Sequence, residues 1–164
     1  MIGTMQTLGD MCTFINGGAW NESEYVLTGI PVLKVSNIRG RSVDKSNLSF
    51  LPETSLAKYS RHALQEDDLV IATVGSHQTL VNSAAGRSIS IKSDAVGFLL
   101  NQNAVCIRTK DPLVLDQKYL TYLGGEEKFK NYIQSRGRGA ANQMRIAVGE
   151  IKGYAPLLSH RTFS

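Results

Sequence analysis

The sequence predicts an α+β fold, a single domain with a curved mixed β-sheet and helices gathered in the C-terminal half. Leu69-Val70-Ile71-Ala72-Thr73-Val74 is an unbroken apolar, β-branched run, the pattern of a strand covered on both faces. Other strand-like runs fill the first two thirds of the chain, and helical periodicity begins only after them. Strands first and helices later point to an α+β domain. At 164 residues the chain suits one domain with its own core.

Thr13-Phe14-Ile15 reads as a short strand ended by the turn signal Asn16-Gly17-Gly18. Ile30-Pro31-Val32-Leu33-Lys34-Val35 is a second strand, with Pro31 tolerated at its start or on an edge. Thr54 to Tyr59 form a short helix after Pro52, capped by Thr54 or Ser55. Gly75 stops the strand that begins at Leu69. Ser88-Ile89-Ser90-Ile91 alternates as a half-exposed strand does, and Ala104-Val105-Cys106-Ile107-Arg108 is another. Asp116 to Leu123 and Glu126 to Gln134 then read as two helices broken at Gly124-Gly125. Leu120 with Leu123, and Phe129 with Tyr132 and Ile133, supply their apolar faces. Glu126 and Glu127 suit the positive end of the second helix. Gly149 to Lys152 form a last helical turn.

Composition narrows the function. No apolar run approaches the ~20 residues that span a bilayer, and the N-terminus lacks signal-peptide character, so a cytoplasmic protein without a membrane partner is expected. Cys12 and Cys106 are too few for a disulfide framework and sit in strand-like surroundings, which makes them buried free thiols. His62, His77 and His160 share no ligand spacing with a cysteine or carboxylate, so no metal site is expected. The net charge of +4 is compatible with a polyanion partner, and its distribution says more than its size. Arg39 and Arg41 flank Gly40, and Arg136, Arg138 and Arg145 fall within ten residues.

The second of these clusters holds the most informative stretch, Gly137-Arg138-Gly139-Ala140-Ala141-Asn142-Gln143-Met144-Arg145-Ile146. Glycine lets a backbone approach another surface closely. Arginine and the carboxamides Asn and Gln are the side chains that form bidentate hydrogen bonds to guanine and adenine edges. A solvated surface loop is the alternative reading of this segment taken alone.

Four segments in order resemble the target-recognition domain of type I restriction–modification specificity (S) subunits. They are Leu8-Gly9-Asp10 leading to Asn16-Gly17-Gly18; Gly29-Ile30-Pro31-Val32-Leu33-Lys34-Val35-Ser36-Asn37-Ile38; Asp67-Asp68-Leu69-Val70-Ile71-Ala72 with Gly75; and the glycine loop running through Gln143 and Ile146 to Glu150-Ile151 and Pro156-Leu157. The resemblance spans residues 8 to 158, and its specificity lies in the order and spacing of motifs that are individually weak. It implies a non-catalytic module that reads double-stranded DNA, one half of a bipartite target. It also implies partners: methyltransferase (modification) subunits, which carry S-adenosylmethionine, and a motor-nuclease (restriction) subunit. No cofactor is expected in this chain. The family pairs two such domains, each followed by a spacer helix; here residues 1–158 form one recognition domain and 159–164 a tail in place of the spacer. A first-half fragment or truncated subunit is therefore expected.

Readers of DNA divide into groups that hold phosphates and groups that contact bases. Lys34, Arg39, Arg41 and Lys45 could hold the backbone, and Asn37 of the second motif joins the DNA-binding set. His77 and Gln78 follow the strand stop at Gly75 and are candidate base readers, with Asn82 and Arg87 of second rank. Arg136, Arg138, Asn142, Gln143 and Arg145 are the strongest set. Gln143 matches the family pattern, which suits holding the loop or a phosphate better than reading a base. For Trp20, packing over the sheet is favoured over stacking on DNA. For Asn101-Gln102-Asn103, a structural turn and a base contact are equally compatible with the sequence.

Enzymatic constellations fit poorly. Gly137-x-Gly139 lacks the third glycine of a cofactor loop, and Val74-Gly75-Ser76-His77 is not a nucleophile elbow. Asp111 with Asp116-Gln117-Lys118 faintly resembles a metal-nuclease motif, but the acids are too close in sequence and Asp116 reads as a helix cap. The remaining alternatives are a protein-interaction module of the same architecture and an orphan domain that binds DNA without sequence preference.

Overall fold

A computed structural model of the chain describes residues 5–75, 84–139 and 143–158. In chain order the elements are α1 (Leu8–Met11), β1 (Cys12–Asn16), β2 (Ile30–Leu33), β3 (Ile38–Arg39), β4 (Ser42–Val43), β5 (Ser49–Leu51), α2 (Leu56–Tyr59), β6 (Leu69–Ala72), β7 (Val74–Gly75), β8 (Ser88–Ser90), β9 (Leu99–Leu100), β10 (Ala104–Thr109), α3 (Gln117–Gly124), α4 (Glu127–Ser135), β11 (Met144–Arg145) and α5 (Val148–Lys152). The fold is the α+β domain expected, with its longer helices late in the chain.

The central sheet has the order β1-β10-β6-β8 and is antiparallel throughout. Mixed pairing is confined to a smaller sheet, β5-β2-β9, in which β2 runs antiparallel to β5 and parallel to β9. The strand beginning at Leu69 is buried along its whole length, although its neighbours are antiparallel. Period-two alternation explains this. Leu69 and Ile71 of β6, with Val105 and Ile107 of β10, face a core closed by α1, α3, α4 and α5. Val70 and Ala72, with Ala104 and Cys106, face a second core that includes Leu33, Ile38 and Leu100. A helical layer covers one face and the small sheet the other. A third cluster of Val32, Leu51, Tyr59 and Leu99 packs with Trp20.

Local chemistry fixes the ends of these elements. Thr7 caps α1 through a reciprocal pair of hydrogen bonds with Asp10, which holds the Asp10 carboxyl below the usual carboxylate range. The Asp116 carboxylate accepts from the Tyr119 amide (3.1 Å) and caps α3, as its sequence position suggests. Asp111 likewise accepts from the Leu113 amide (2.9 Å), so both acids of the nuclease-like motif are engaged as backbone caps. Gln117 clamps α3 to the sheet: Oε1 accepts from the Thr109 amide (2.8 Å) and Nε2 donates to the Asp67 carbonyl (2.8 Å).

Asp68, at the head of β6, is 2% exposed and forms a bidentate ion pair with Arg108 of β10, with Nε–Oδ1 and Nη2–Oδ2 distances of 2.7 and 2.8 Å. That hydrogen bonding raises the Arg108 pKa above its ordinary value. The carboxylate of the third sequence motif thus locks two neighbouring strands together.

Cys12 and Cys106 are buried free thiols. Burial pushes the Cys12 thiol up to about 11 and the Cys106 thiol higher still, although Lys110 and Arg108 pull the other way. Because the thiolate is the reactive form, neither cysteine is expected to react with a disulfide-exchange reagent at pH 8 in the native protein. Both should react after unfolding in guanidinium; rapid native labelling of either would contradict the packing described above.

Candidate nucleic-acid interface

The glycine loop is part of a narrow antiparallel ribbon. Val74 and Gly75 of β7 pair with Arg145 and Met144 of β11, and Arg145 pairs on its other side with Arg138. Arg138 and Arg145 exchange both backbone hydrogen bonds, at 2.8 and 2.7 Å. Residues so paired stand directly opposite one another with their side chains on one side of the ribbon.

The glycines are what permit this geometry. Gly139 has φ +148°, and a Cβ there would collide with the Gln143 carbonyl oxygen. A side chain at Gly137 would collide with Met144, which is buried beneath the ribbon.

Arg138, Gln143 and Arg145 are exposed and line one shallow groove with Gly139 and Ala147. No ion pair or side-chain hydrogen bond engages these three among the described residues. Two like charges set opposite each other on a ribbon are unfavourable without a counter-anion. Arg136 differs. Its guanidinium stacks on the Tyr132 ring (3.8 Å to the centroid) and pairs with Glu150 (3.2 Å), so it braces α4 against α5. The described residues stop at Gly75 and resume at Ala84, and stop again at Gly139 and resume at Gln143. His77, Gln78, Asn82 and Asn142 lie outside the described residues.

The other predicted positions fall into two further groups. Gly40 and Arg41 make the turn between β3 and β4. Arg41 Nη1 donates to the Gly125 carbonyl (3.1 Å), tying that hairpin to the end of α3. Arg87 is half-buried and donates to the Ile38 carbonyl (3.5 Å). Arg41, Arg87 and Lys130 line a second groove beside Gly124 and Glu127. Arg39 is largely exposed, 3.6 Å from Asp44, and Lys45 pairs with Asp94.

Lys34 and Asn37 are engaged within the fold. Lys34 Nζ donates to Ser49 Oγ (2.9 Å) and lies 5.6 Å from the Tyr25 ring centroid. Asn37 is 3% exposed; its oxygen accepts from the Lys34 amide (2.9 Å) and its nitrogen donates to the Asp44 and Asn47 carbonyls (3.2 and 3.3 Å). These bonds occupy the groups that would meet a base, so Asn37 shapes the turn after β2.

Trp20 is half-buried, donating from Nε1 to the Tyr25 hydroxyl (3.1 Å) and packing 5.0 Å from the Tyr59 ring, in keeping with the packed reading. Asn101–Asn103 form a turn against Asn16–Gly17, where the Gly17 Cα faces the Asn101 carbonyl with no room for a Cβ. Asn103 adopts φ +71°, and its carbonyl accepts from the Thr73 amide (2.8 Å). Asn16 enters the sequence reading only as a turn signal. Its exposed side chain beside the ribbon becomes visible once β1 is placed next to β10.

No family model and no curated protein matches the chain. Solved structures do. An S subunit of a type I restriction–modification system from M. genitalium aligns over 92% of this chain and 32% of its own, with a TM-score of 0.60 at 14% identity. A chain from a structural study of complex assembly and conformational transition in the type I system aligns over 93% and 34%, at 0.55 and 12%. The HsdS subunit of Thermoanaerobacter tengcongensis aligns over 88% and 33%, at 0.50 and 11%. The chain spans about a third of the length of these proteins. Such a likeness shows the fold alone, one that this chain shares with S subunits of type I systems, the family its ordered motifs resemble.

Proposed function

We propose that the chain is a duplex-DNA-reading module that recognises one half of a bipartite target and directs type I modification and restriction subunits to it. The observation that carries this reading is the facing pair Arg138 and Arg145, exposed and without a counter-charge among the described residues. A polyanion laid along that ribbon would supply the missing negative charge. Methyl transfer, with its S-adenosylmethionine, and cleavage are assigned to the partner subunits. This chain contributes position and sequence choice, and its role needs no catalytic group.

The test is equilibrium binding of the full chain to a randomised duplex pool from low to moderate salt, with sequencing of the bound fraction. Phosphate contacts release counterions, so the logarithm of the affinity should fall with the logarithm of salt by about 0.9 per phosphate held. A short enriched motif of a few base pairs is expected. Salt-dependent binding without enrichment would instead favour the orphan, non-specific alternative. Absence of salt-dependent DNA binding would overturn the reading in favour of a protein-interaction module.

A further inference from the structure

Beside the arginine ribbon lies a third groove, which shares Arg145 and Ala147 with the first and adds a wall of carboxamides. One wall is Asn16 at the end of β1 with Gln102 and Asn103 of the neighbouring turn; the other is Arg145 with Ala147. The three carboxamide side chains are exposed, and none makes a hydrogen bond among the described residues. This contrasts with Asn37 and Gln117, whose carboxamides are bound to the backbone. Asn16 and Asn103 come from different parts of the sequence and are brought together because Gly17 donates to the Ala104 carbonyl (2.9 Å).

We infer that Asn16, Gln102 and Asn103 form a base-reading cluster that sets sequence preference, while the arginine ribbon chiefly supplies affinity. The inference rests on the DNA-reading function proposed above and deepens it. A free carboxamide can donate and accept at once, which matches the N6 and N7 edge of adenine in the major groove. Arginine cannot accept, so the two ribbon arginines lack this capacity.

The backbone gives the scale. Asn103 accepts from Thr73, and Thr73 accepts from Ile146 (2.8 and 2.7 Å), so the turn and the arginine-bearing chain lie two chain spacings apart. Two spacings are about 10 Å, and base pairs follow one another every ~3.4 Å. The carboxamides therefore lie about three base-pair steps from the chain that carries Arg145.

The experiment repeats the randomised-duplex selection with Gln102→Ala and with Asn103→Gly. Glycine keeps the positive φ at 103 while removing the carboxamide, and Gln102 is exposed, so both variants retain the fold. The expected result is an unchanged salt slope together with loss of an adenine preference of roughly 5- to 150-fold, the range of one bidentate pair. The lost positions should be neighbours within the motif. Motifs identical to wild type in both variants would overturn the cluster while leaving the DNA-reading function standing. Failure of the wild-type chain to bind DNA would overturn both.

Discussion

Replacing Asp68 with alanine is expected to lower the unfolding free energy by about 3 kcal/mol or more, the low end of the range for breaking a buried ion pair. The carboxylate is 2% exposed and accepts three hydrogen bonds through its two oxygens, two from Arg108 and one from the Gln65 amide (2.7 Å); the Arg108 guanidinium also donates to the Ala63 carbonyl (3.1 Å). Its loss leaves the guanidinium facing an apolar core cluster. The Arg108 side chain retains 23% exposure, which lets water soften the penalty and places the expectation at the lower end. For a domain of this size, 3 kcal/mol corresponds to a drop in Tm of roughly 6–12 °C. Thermal unfolding of Asp68→Ala, Arg108→Ala and the double variant would measure it. The double variant should lose less than the sum of the singles, because the second change removes the charge that the first stranded. A shift below about 2 °C for Asp68→Ala would mean that the pair does not hold β6 to β10.

That expectation shows where sequence and structure part company. The acidic step before the strand at Leu69 was legible as a motif, and its strand as a strand, because six consecutive residues carry the β-branched and apolar signal. The partner was not legible. Arg108 sits forty positions away, and only the register Leu69↔Ile107 makes it a neighbour of Asp68. The late helices were readable for the same local reason: apolar spacing, a capping aspartate and two glycines at their junction. Two-residue strands such as β9 and β11 carry no period of their own and exist only through tertiary pairing. Polar residues were hardest. Asn37 and Gln102 look equally available in sequence, yet one is buried in three hydrogen bonds and the other lies exposed beside the ribbon. What separates them is whether a turn's own amides and carbonyls need a partner, which depends on the fold. The ribbon lies between these extremes. Glycine next to arginine signalled a surface approached closely, while the facing of Arg138 and Arg145 required the backbone.

Arg138→Ala and Arg145→Ala are each expected to weaken duplex binding by ~1–3 kcal/mol, about 5- to 150-fold, and the double variant to abolish binding at moderate salt. The salt dependence should separate the roles of the two arginines. A variant that has lost a phosphate contact binds all sequences less tightly with a slope shallower by about 0.9, whereas one that has lost a base contact relaxes preference at one position and keeps its slope. Stability should move the opposite way from affinity. Neither guanidinium has an ion-pair partner among the described residues, and the two face one another. Removing one relieves repulsion of the kind that costs directly opposed like charges ~0.2–1 kcal/mol, so Tm should hold or rise slightly. That combination, weaker binding with unchanged or greater stability, is the signature of charges placed for a ligand. A fall in Tm would assign the arginines to the fold, and wild-type affinity in both single variants would remove the ribbon from the DNA interface.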